Sequence, residues 1–228
     1  MTGLRLNHTS LREQVYEVLR ADLEAGSLAP GQTIGLDEVA ARLGVSRTPL
    51  REALLRLELE GFVTIRPRSG VVVRTLDERD IRNLYQMIGA LEASVLETEH
   101  AQLTAAGIAA MRRANDAMRA ALDADDFDRY YAANLALHDG YLRLSRNAEL
   151  VQRVTVMKQR LYDFPRKRAF VKEWEEASTG EHEAIVAALV RGDHAEAARL
   201  VRDVHWSFAV QERFIRRYYL AELGEAQR

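Results

Sequence analysis

Apolar residues recur every three or four positions along most of the chain, a spacing typical of amphipathic helices. Three such segments occupy the start of the sequence, at residues 10–25, 36–43 and 46–60. Between the second and third, Gly44 suits the left-handed backbone that ends many helices, and Ser46 is a favourable N-cap. The pattern therefore predicts a longer helix followed by two helices that a tight turn connects.

The spacing changes from helical to strand-like directly after the third predicted helix. Residues 62–65 and 71–73 are rich in β-branched side chains, and residues 66–70 (RPRSG) between them combine arginine, proline and glycine. We predict a β-hairpin with a basic tip. Three helices plus a β-hairpin wing form a winged helix-turn-helix domain, which we place at residues 8–75.

From residue 77 onward the pattern is helical again. The predicted helices are separated by short breaks and lie at residues 77–100, 104–122, 125–145, 147–164, 173–191 and 193–219. Short connections favour antiparallel neighbours. The fold class is therefore mostly α, with an all-helical antiparallel bundle at residues 76–222 after the winged domain.

Composition narrows the function classes. The 228 residues carry a net charge of −2, which disfavours a structural nucleoid protein, and include no cysteine, which excludes disulfides and zinc–thiolate sites. No segment approaches the ~18 uninterrupted apolar residues of a membrane span, and the N-terminus lacks the apolar core of a signal peptide. We expect a soluble, cytoplasmic protein without a membrane partner.

Positive charge is concentrated locally, since residues 42–74 contain seven arginines and three acidic residues. A helix of this size fits the major groove of B-DNA, and residues at its N-terminus meet the base edges. In the third predicted helix these are Ser46, Arg47, Thr48 and Arg51. A guanidinium group suits both guanine edges and phosphates. We therefore predict double-stranded DNA as a partner.

The hairpin tip offers a second basic surface. Arg66 and Arg68 are placed to reach the DNA backbone or minor groove beside the reading helix. The alternative is a small α/β module whose arginines are only solvated. For Arg56, in the middle of the third helix, pairing with Glu52 or Glu60 one turn away is the favoured interpretation.

Polar side chains interrupt the apolar face of the second half at four positions, Asn134, His138, His182 and His205. A buried polar group needs a partner. A divalent metal ion would satisfy all four and leave a position for water or a substrate carboxylate. Hydrogen-bonded core histidines are the alternative, and spacing alone leaves both open.

A metal site also permits a different class of function, a metal-dependent hydrolase or lyase fused to a DNA-binding domain. Such an enzyme needs a general base near the metal. Glu181 and Glu183 flank His182, but we expect both to point away from its helix face. We therefore predict that the protein is not an enzyme.

The first part of the chain resembles the GntR family of bacterial transcription regulators. The resemblance lies in residues 43–54 (LGVSRTPLREAL), in the turn at residues 29–31 and in the wing at residues 66–70. It implies that Arg47 and Arg51 contact DNA, assisted by Thr48, Arg68 and Gly70. Some relatives have a DNA-contacting arginine where this chain has Asp37, which implies that this contact is absent here.

The helical half resembles the FCD ligand-binding domain of the FadR-type branch of these regulators. Residues 134–138 (NLALH) and 181–185 (EHEAI) are similar to its motifs, and His205 occupies its last histidine position. The resemblance implies a homodimer that binds a divalent metal ion. Zinc is the favoured metal, and nickel and manganese are the alternatives. The resemblance also implies a small organic acid as the effector that controls operator binding, as in a repressor.

This chain departs from the FCD pattern at two positions. Asn134 stands where many members have aspartate, which predicts weaker metal binding because one negative charge is lost. Ile88 stands where members often have arginine. An effector carboxylate would lose that partner.

Overall fold

The computed structural model describes residues 10–67, 70–162 and 171–220. The chain divides into a first unit that ends at Leu76 and a second that begins at Asp77. The fold class predicted from the sequence is confirmed, with a small antiparallel sheet among the N-terminal helices and a helical second unit. None of the helices in the described ranges combines the length and apolar character needed to cross a membrane.

The described residues of the first unit form three helices and three strands. The helices are α1 (Leu11–Ala25), α2 (Leu36–Leu43) and α3 (Arg47–Glu60), and the strands are β1 (Thr33–Ile34), β2 (Val63–Arg66) and β3 (Gly70–Val73). The strands pair antiparallel in the order β1-β3-β2. Strand β1 is an addition to the predicted hairpin, because two residues are too few to show a strand periodicity.

Local sequence explains where these helices begin and end. The Ser10 hydroxyl accepts a hydrogen bond from the Glu13 backbone N–H, and Gly26 ends α1 with φ of 64°. Gly44 ends α2 in the same left-handed conformation, also with φ of 64°. The tight turn after Gly44 sets the direction in which α3 leaves α2.

Arg56 has a structural partner on each side, as predicted for one of them. Its Nε donates to Glu60 over 3.0 Å, and its Nη1 donates to both carboxylate oxygens of Glu13, at 2.8 and 2.9 Å. Its guanidinium carbon also lies 3.6 Å from the ring centroid of Tyr16. Arg56 therefore fastens α3 to α1 and does not belong to the DNA-reading residues.

In its described residues the second unit consists of helices and short connections, with no strand. Its helices are α4 (Glu78–Thr98), α5 (Ala105–Asp123), α6 (Phe127–Leu142), α7 (Ala148–Tyr162), α8 (Lys172–Val190), α9 (His194–Leu200) and α10 (Phe208–Phe214). Helix α5 packs against α6 and α8, and α4 packs against α7 and α9. The buried side chains of these helices form a core that also contains charged and polar residues.

The sequence predicted one continuous helix at residues 193–219, and this prediction is wrong. Helix α9 passes into a π-helical segment at Val201–His205, and α10 begins only at Phe208. His205 and Trp206 are both buried where the chain leaves the π-helical segment.

Candidate metal centre and nucleic-acid interface

Three histidines from separate elements meet inside the helical unit. Helix α6 supplies His138, α8 supplies His182, and the π-helical segment supplies His205. One ring nitrogen from each lies within 4.8 Å of those of the other two. The three rings are 1%, 0% and 9% exposed. The structure therefore brings together the three histidines that the sequence singled out.

Asn134 lies on the same helix face as His138. It precedes that histidine by one turn of α6 and is 5% exposed. Asn134 is therefore a buried, uncharged polar residue one helical turn from His138. Ile88, at the position where relatives often carry arginine, is a fully buried core residue with 0% exposure.

Glu92 of α4 is a buried carboxylate that contacts His138 and other buried polar side chains. Its Oε2 lies 3.1 Å from Nδ1 of His138 and accepts hydrogen bonds from the Tyr141 hydroxyl at 2.5 Å and Trp206 Nε1 at 2.8 Å. Its other oxygen forms an ion pair with the buried ammonium of Lys158. Tyr141, Trp206 and Lys158 therefore hold this carboxylate beside Nδ1 of His138.

Glu181 plays the corresponding part for His205. Its Oε2 lies 2.8 Å from His205 Nδ1, and its Oε1 accepts a hydrogen bond from Gln211 at 2.7 Å. Trp174 Nε1 in turn donates to Gln211 over 2.9 Å. The expectation that Glu181 points away from the site is wrong, because His205 approaches α8 from that side. Glu183 does point outward and pairs with Arg119.

The two carboxylates indicate which ring nitrogen of His138 and of His205 remains available. A carboxylate beside Nδ1 favours the tautomer with a proton there, which leaves Nε2 as a lone-pair donor. Nε2 of His138 and both nitrogens of His182 are buried without a hydrogen-bond partner among the residues that the structure describes. Buried polar atoms in native cores are usually hydrogen-bonded, so two neighbouring histidines with unpartnered nitrogens fit a metal ion that takes one nitrogen from each.

The pKa values of His138, His182 and Glu92 favour neutral imidazoles beside an ionised carboxylate. Burial, with Lys158 as a second cause, lowers the pKa of His138 to about 4. Burial, together with the neighbouring His205 and His138, holds the pKa of His182 well below its usual value. For Glu92, burial raises the pKa, but Lys158 and His138 outweigh burial and lower it overall. Neutral imidazoles beside an ionised carboxylate are the form that metal ions bind.

Sequence reasoning missed Glu92, Lys158 and Trp206 as parts of this site. A usable signal was present for two of them. Glu92 follows the core residue Ile88 by one turn of α4, and Lys158 follows the core residue Val154 by one turn of α7. The criterion that identified the histidines, a polar residue at an apolar position, would also have identified both.

The residues predicted to read DNA lie at the N-terminal end of α3. Ser46 is the N-cap residue without a side-chain capping hydrogen bond, and Arg47 and Thr48 are the first two residues of the helix. Arg51 follows one turn after Arg47. All four are exposed. Ser46 is therefore the N-cap residue that the sequence predicted, although its side chain makes no capping hydrogen bond.

Arg47 has a partner on α2. Its Nε and Nη2 lie 2.9 and 2.6 Å from the same carboxylate oxygen of Asp37. The two side chains are 71% and 77% exposed, so the pair stands in solvent. The acidic residue that replaces an arginine of some relatives is therefore in contact with the candidate reading residue.

The wing carries the remaining residues that the sequence predicts to contact DNA, Arg66, Arg68 and Gly70. Arg66 is the exposed last residue of β2 and pairs in register with Gly70, the first residue of β3. Gly70 has φ of 89°, a conformation that favours glycine. Arg68 lies outside the described residues. The structure places Arg66 and Gly70 on the hairpin.

Comparisons with known proteins agree with these two units. Residues 11–73 match the sequence profile described as "Bacterial regulatory proteins, gntR family", and residues 83–205 match the FCD domain. An HTH-type transcriptional regulator of Agrobacterium vitis, from the TAR-I ttuE-ttuC' intergenic region, is 35% identical over 54% of this chain and 74% of its own length.

Two Escherichia coli proteins extend the comparison. The HTH-type transcriptional repressor RspR is 28% identical over 59% of this chain and 59% of its own length. The structure of McbR/YncC aligns with a TM-score of 0.70 at 21% identity, over 94% of this chain and 100% of that protein. At that identity the structural likeness shows the fold alone.

Proposed function

Because the chain belongs to the GntR family of bacterial regulatory proteins and carries an FCD domain, we propose that it is a repressor controlled by a small molecule at a divalent metal site. The family consists of transcriptional regulators, so the alternative of a hydrolase or lyase fused to a DNA-binding domain is wrong. The repressor assignment follows the name of the relative RspR. The metal and the effector follow from the site.

The observation that carries this proposal is the convergence of one ring nitrogen from each of His138, His182 and His205, two of which have buried nitrogens without a hydrogen-bond partner among the described residues. In the proposed holo-protein each histidine gives one ring nitrogen, and the Asn134 side-chain oxygen is the fourth ligand. The bound metal would supply an electrophilic centre that attracts anionic oxygen ligands. Zinc suits a nitrogen-rich site best, with nickel or manganese as alternatives.

The charges around the site support a carboxylate effector. The proposed ligands are one amide and three imidazoles, and none of them is anionic. Of the two carboxylates that contact the histidines, Glu92 is paired with Lys158, and Glu181 contributes one negative charge beside His205. A dication in these surroundings would keep excess positive charge that an organic acid can balance. The Ile88 side chain on α4 cannot donate a hydrogen bond to a carboxylate. We therefore propose that the metal, rather than a side chain at that position, binds the acid.

The DNA-binding part of the proposal concerns a homodimer on a double-stranded operator. Two α3 helices would read half-sites about one helical turn apart, because dimer symmetry sets operator symmetry. Ser46, Arg47, Thr48 and Arg51 would face the bases, while Arg66, Arg68 and Gly70 of the wing would follow the backbone. An effector that binds the two dimer arrangements with different affinity then changes operator occupancy.

The DNA-binding test starts from an operator selected with the full-length protein out of random-sequence duplexes. Arg47→Ala and Arg51→Ala should each weaken operator binding by about 1–3 kcal/mol. Arg12→Ala, which removes an exposed charge from α1, is the matched control. Operator affinity equal to that of the control in both variants would defeat the assignment of α3 as the reader.

The regulatory test measures operator affinity of chelator-treated and zinc-loaded protein with a panel of small carboxylic acids. At least one acid should shift the affinity of zinc-loaded protein and leave the chelated protein unchanged. His182→Ala should bind the operator and lose that response. An effect of acids that is equal with and without zinc would refute the metal-linked effector site.

A further inference from the structure

We propose that Asp37 is a specificity-determining residue, which holds the guanidinium of Arg47 in the orientation that reads a guanine. This inference rests on the proposed binding of DNA by α3. It replaces the expectation that Asp37 only removes a contact. The evidence is the contact itself, in which two donors of Arg47, Nε and Nη2, converge on one oxygen of Asp37.

The geometry leaves one edge of the guanidinium open. Arginine has five N–H donors arranged in a planar fork, and Nε with one hydrogen of Nη2 forms its side edge. Asp37 occupies that edge. Nη1 and the second hydrogen of Nη2 remain and form the end edge, whose spacing matches the O6 and N7 acceptors of guanine. A guanine in the major groove is therefore the base that the oriented Arg47 recognises.

The position of Asp37 makes it a suitable support. It lies in the first turn of α2, where the backbone N–H groups favour a negative charge. Arg47 is the first residue of α3. Two short helices joined through Gly44 therefore hold the two ends of the ion pair. An exposed pair of this kind is weak in water, so it orients the arginine without preventing contact with DNA.

The charge of Asp37 also acts on non-specific binding. Phosphate contacts depend on positive charge and carry no sequence information. Asp37 neutralises Arg47, whereas Arg51 forms no ion pair with any residue in the described parts of the chain. The pair therefore reduces the attraction of Arg47 for any phosphate and reserves this arginine for a base. Arg51 keeps its full charge for its own contacts with DNA.

The experiment compares the DNA affinity of three variants. Each is measured on the selected operator and on a set of operator duplexes, in each of which one guanine is replaced. Asp37→Ala removes both support and charge. Asp37→Asn removes the charge and keeps an acceptor oxygen. Glu38→Ala removes an equal charge from the same turn of α2, at an exposed residue without a contact to Arg47. Anisotropy titrations at several salt concentrations give the affinities.

Asp37→Ala should lower the preference for one guanine about fivefold or more. It should also raise the affinity for unrelated DNA, and the plot of log affinity against log salt concentration should be steeper by about 0.9. Asp37→Asn should keep more of the guanine preference than Asp37→Ala at the same charge. In an Arg47→Ala background, Asp37→Ala should leave the guanine preference unchanged. A guanine preference in Asp37→Ala equal to that in Glu38→Ala overturns the proposal.

These outcomes separate this inference from the proposed function. A wild-type protein that selects no sequence refutes DNA reading itself. A wild-type protein that selects an operator, with Asp37→Ala indistinguishable from Glu38→Ala, refutes only the role of Asp37.

Discussion

Oε2 of Glu92 lies 3.1 Å from Nδ1 of His138, and both side chains are buried. The contact connects the candidate metal centre to the core of the bundle, because the same carboxylate oxygen accepts hydrogen bonds from Tyr141 and Trp206. Lys158 balances its charge. The carboxylate that contacts His138 therefore belongs to a buried ion pair with Lys158.

Glu92→Gln should destabilise the chelator-treated protein by about 3–5 kcal/mol, because it leaves the Lys158 ammonium buried without a counter-charge. Urea denaturation provides the measurement. Glu97→Gln, on the exposed side of the same helix, should change stability by less than about 0.5 kcal/mol. Adding Lys158→Met to Glu92→Gln should recover part of the loss, and equal stability of Glu92→Gln and wild type would contradict this account.

Glu181→Gln should weaken zinc binding about 10- to 100-fold, because the charged acceptor that orients His205 is lost. Competition with a chromophoric chelator measures the affinity. Glu183→Gln flanks His182 on the other side, faces solvent, and should leave the affinity unchanged. If the two variants bind zinc equally, Glu181 has no orienting role.

Gly89→Ala tests the close approach of α4 to the segment that carries His205. A Cβ at Gly89 would lie 2.9 Å from Cβ of Trp206 and 3.4 Å from the backbone of Arg202. We expect a loss of about 1–3 kcal/mol from overpacking. The same substitution at Gly180 meets nothing within 4 Å and should stabilise α8 by about 0.5–1 kcal/mol. Thermal denaturation that ranks the two variants in the opposite order would refute this packing.

Glu175 makes stability depend on pH. Burial raises the pKa of this carboxyl from 4.5 to about 7 in the folded protein. Between these values the folded chain binds more protons than the unfolded chain, so stability falls as pH rises. Glu175→Gln should therefore stabilise the protein by about 2–3 kcal/mol at pH 8 and have little effect at pH 4.

Chemical denaturation at both pH values measures this difference, and the neighbouring exposed residue gives the control, Glu176→Gln. The control should show the same small effect at pH 4 and pH 8. A Glu175→Gln effect that does not change with pH would show that the carboxyl keeps its ordinary pKa when the protein is folded.

Sequence patterns were sufficient for the fold class because helices and hairpins leave local signals. The helical spacing, Gly44 and the residues 66–70 each describe a structure within a few positions of themselves. The three histidines were visible for a related reason, since each replaces an apolar residue on a helical face. Their role as metal ligands stays a prediction.

The features that escaped prediction depend on contacts between distant parts of the chain. Strand β1 exists because Thr33 and Ile34 pair with β3. The π-turn before Trp206 accompanies a contact with Glu92, more than a hundred residues earlier. Glu181 reaches the site because His205 comes to it from another element. No local periodicity encodes any of these pairings.

Zinc titration of the chelator-treated full-length protein by calorimetry tests the central claim, that His138, His182 and His205 form one metal site. Wild type should bind about one zinc ion per chain. His182→Ala should lose that binding with its circular dichroism spectrum intact, while His194→Ala, outside the cluster, should bind as wild type does. A wild-type protein that takes up no zinc, or a His182→Ala variant that binds it as tightly as wild type, would contradict the claim.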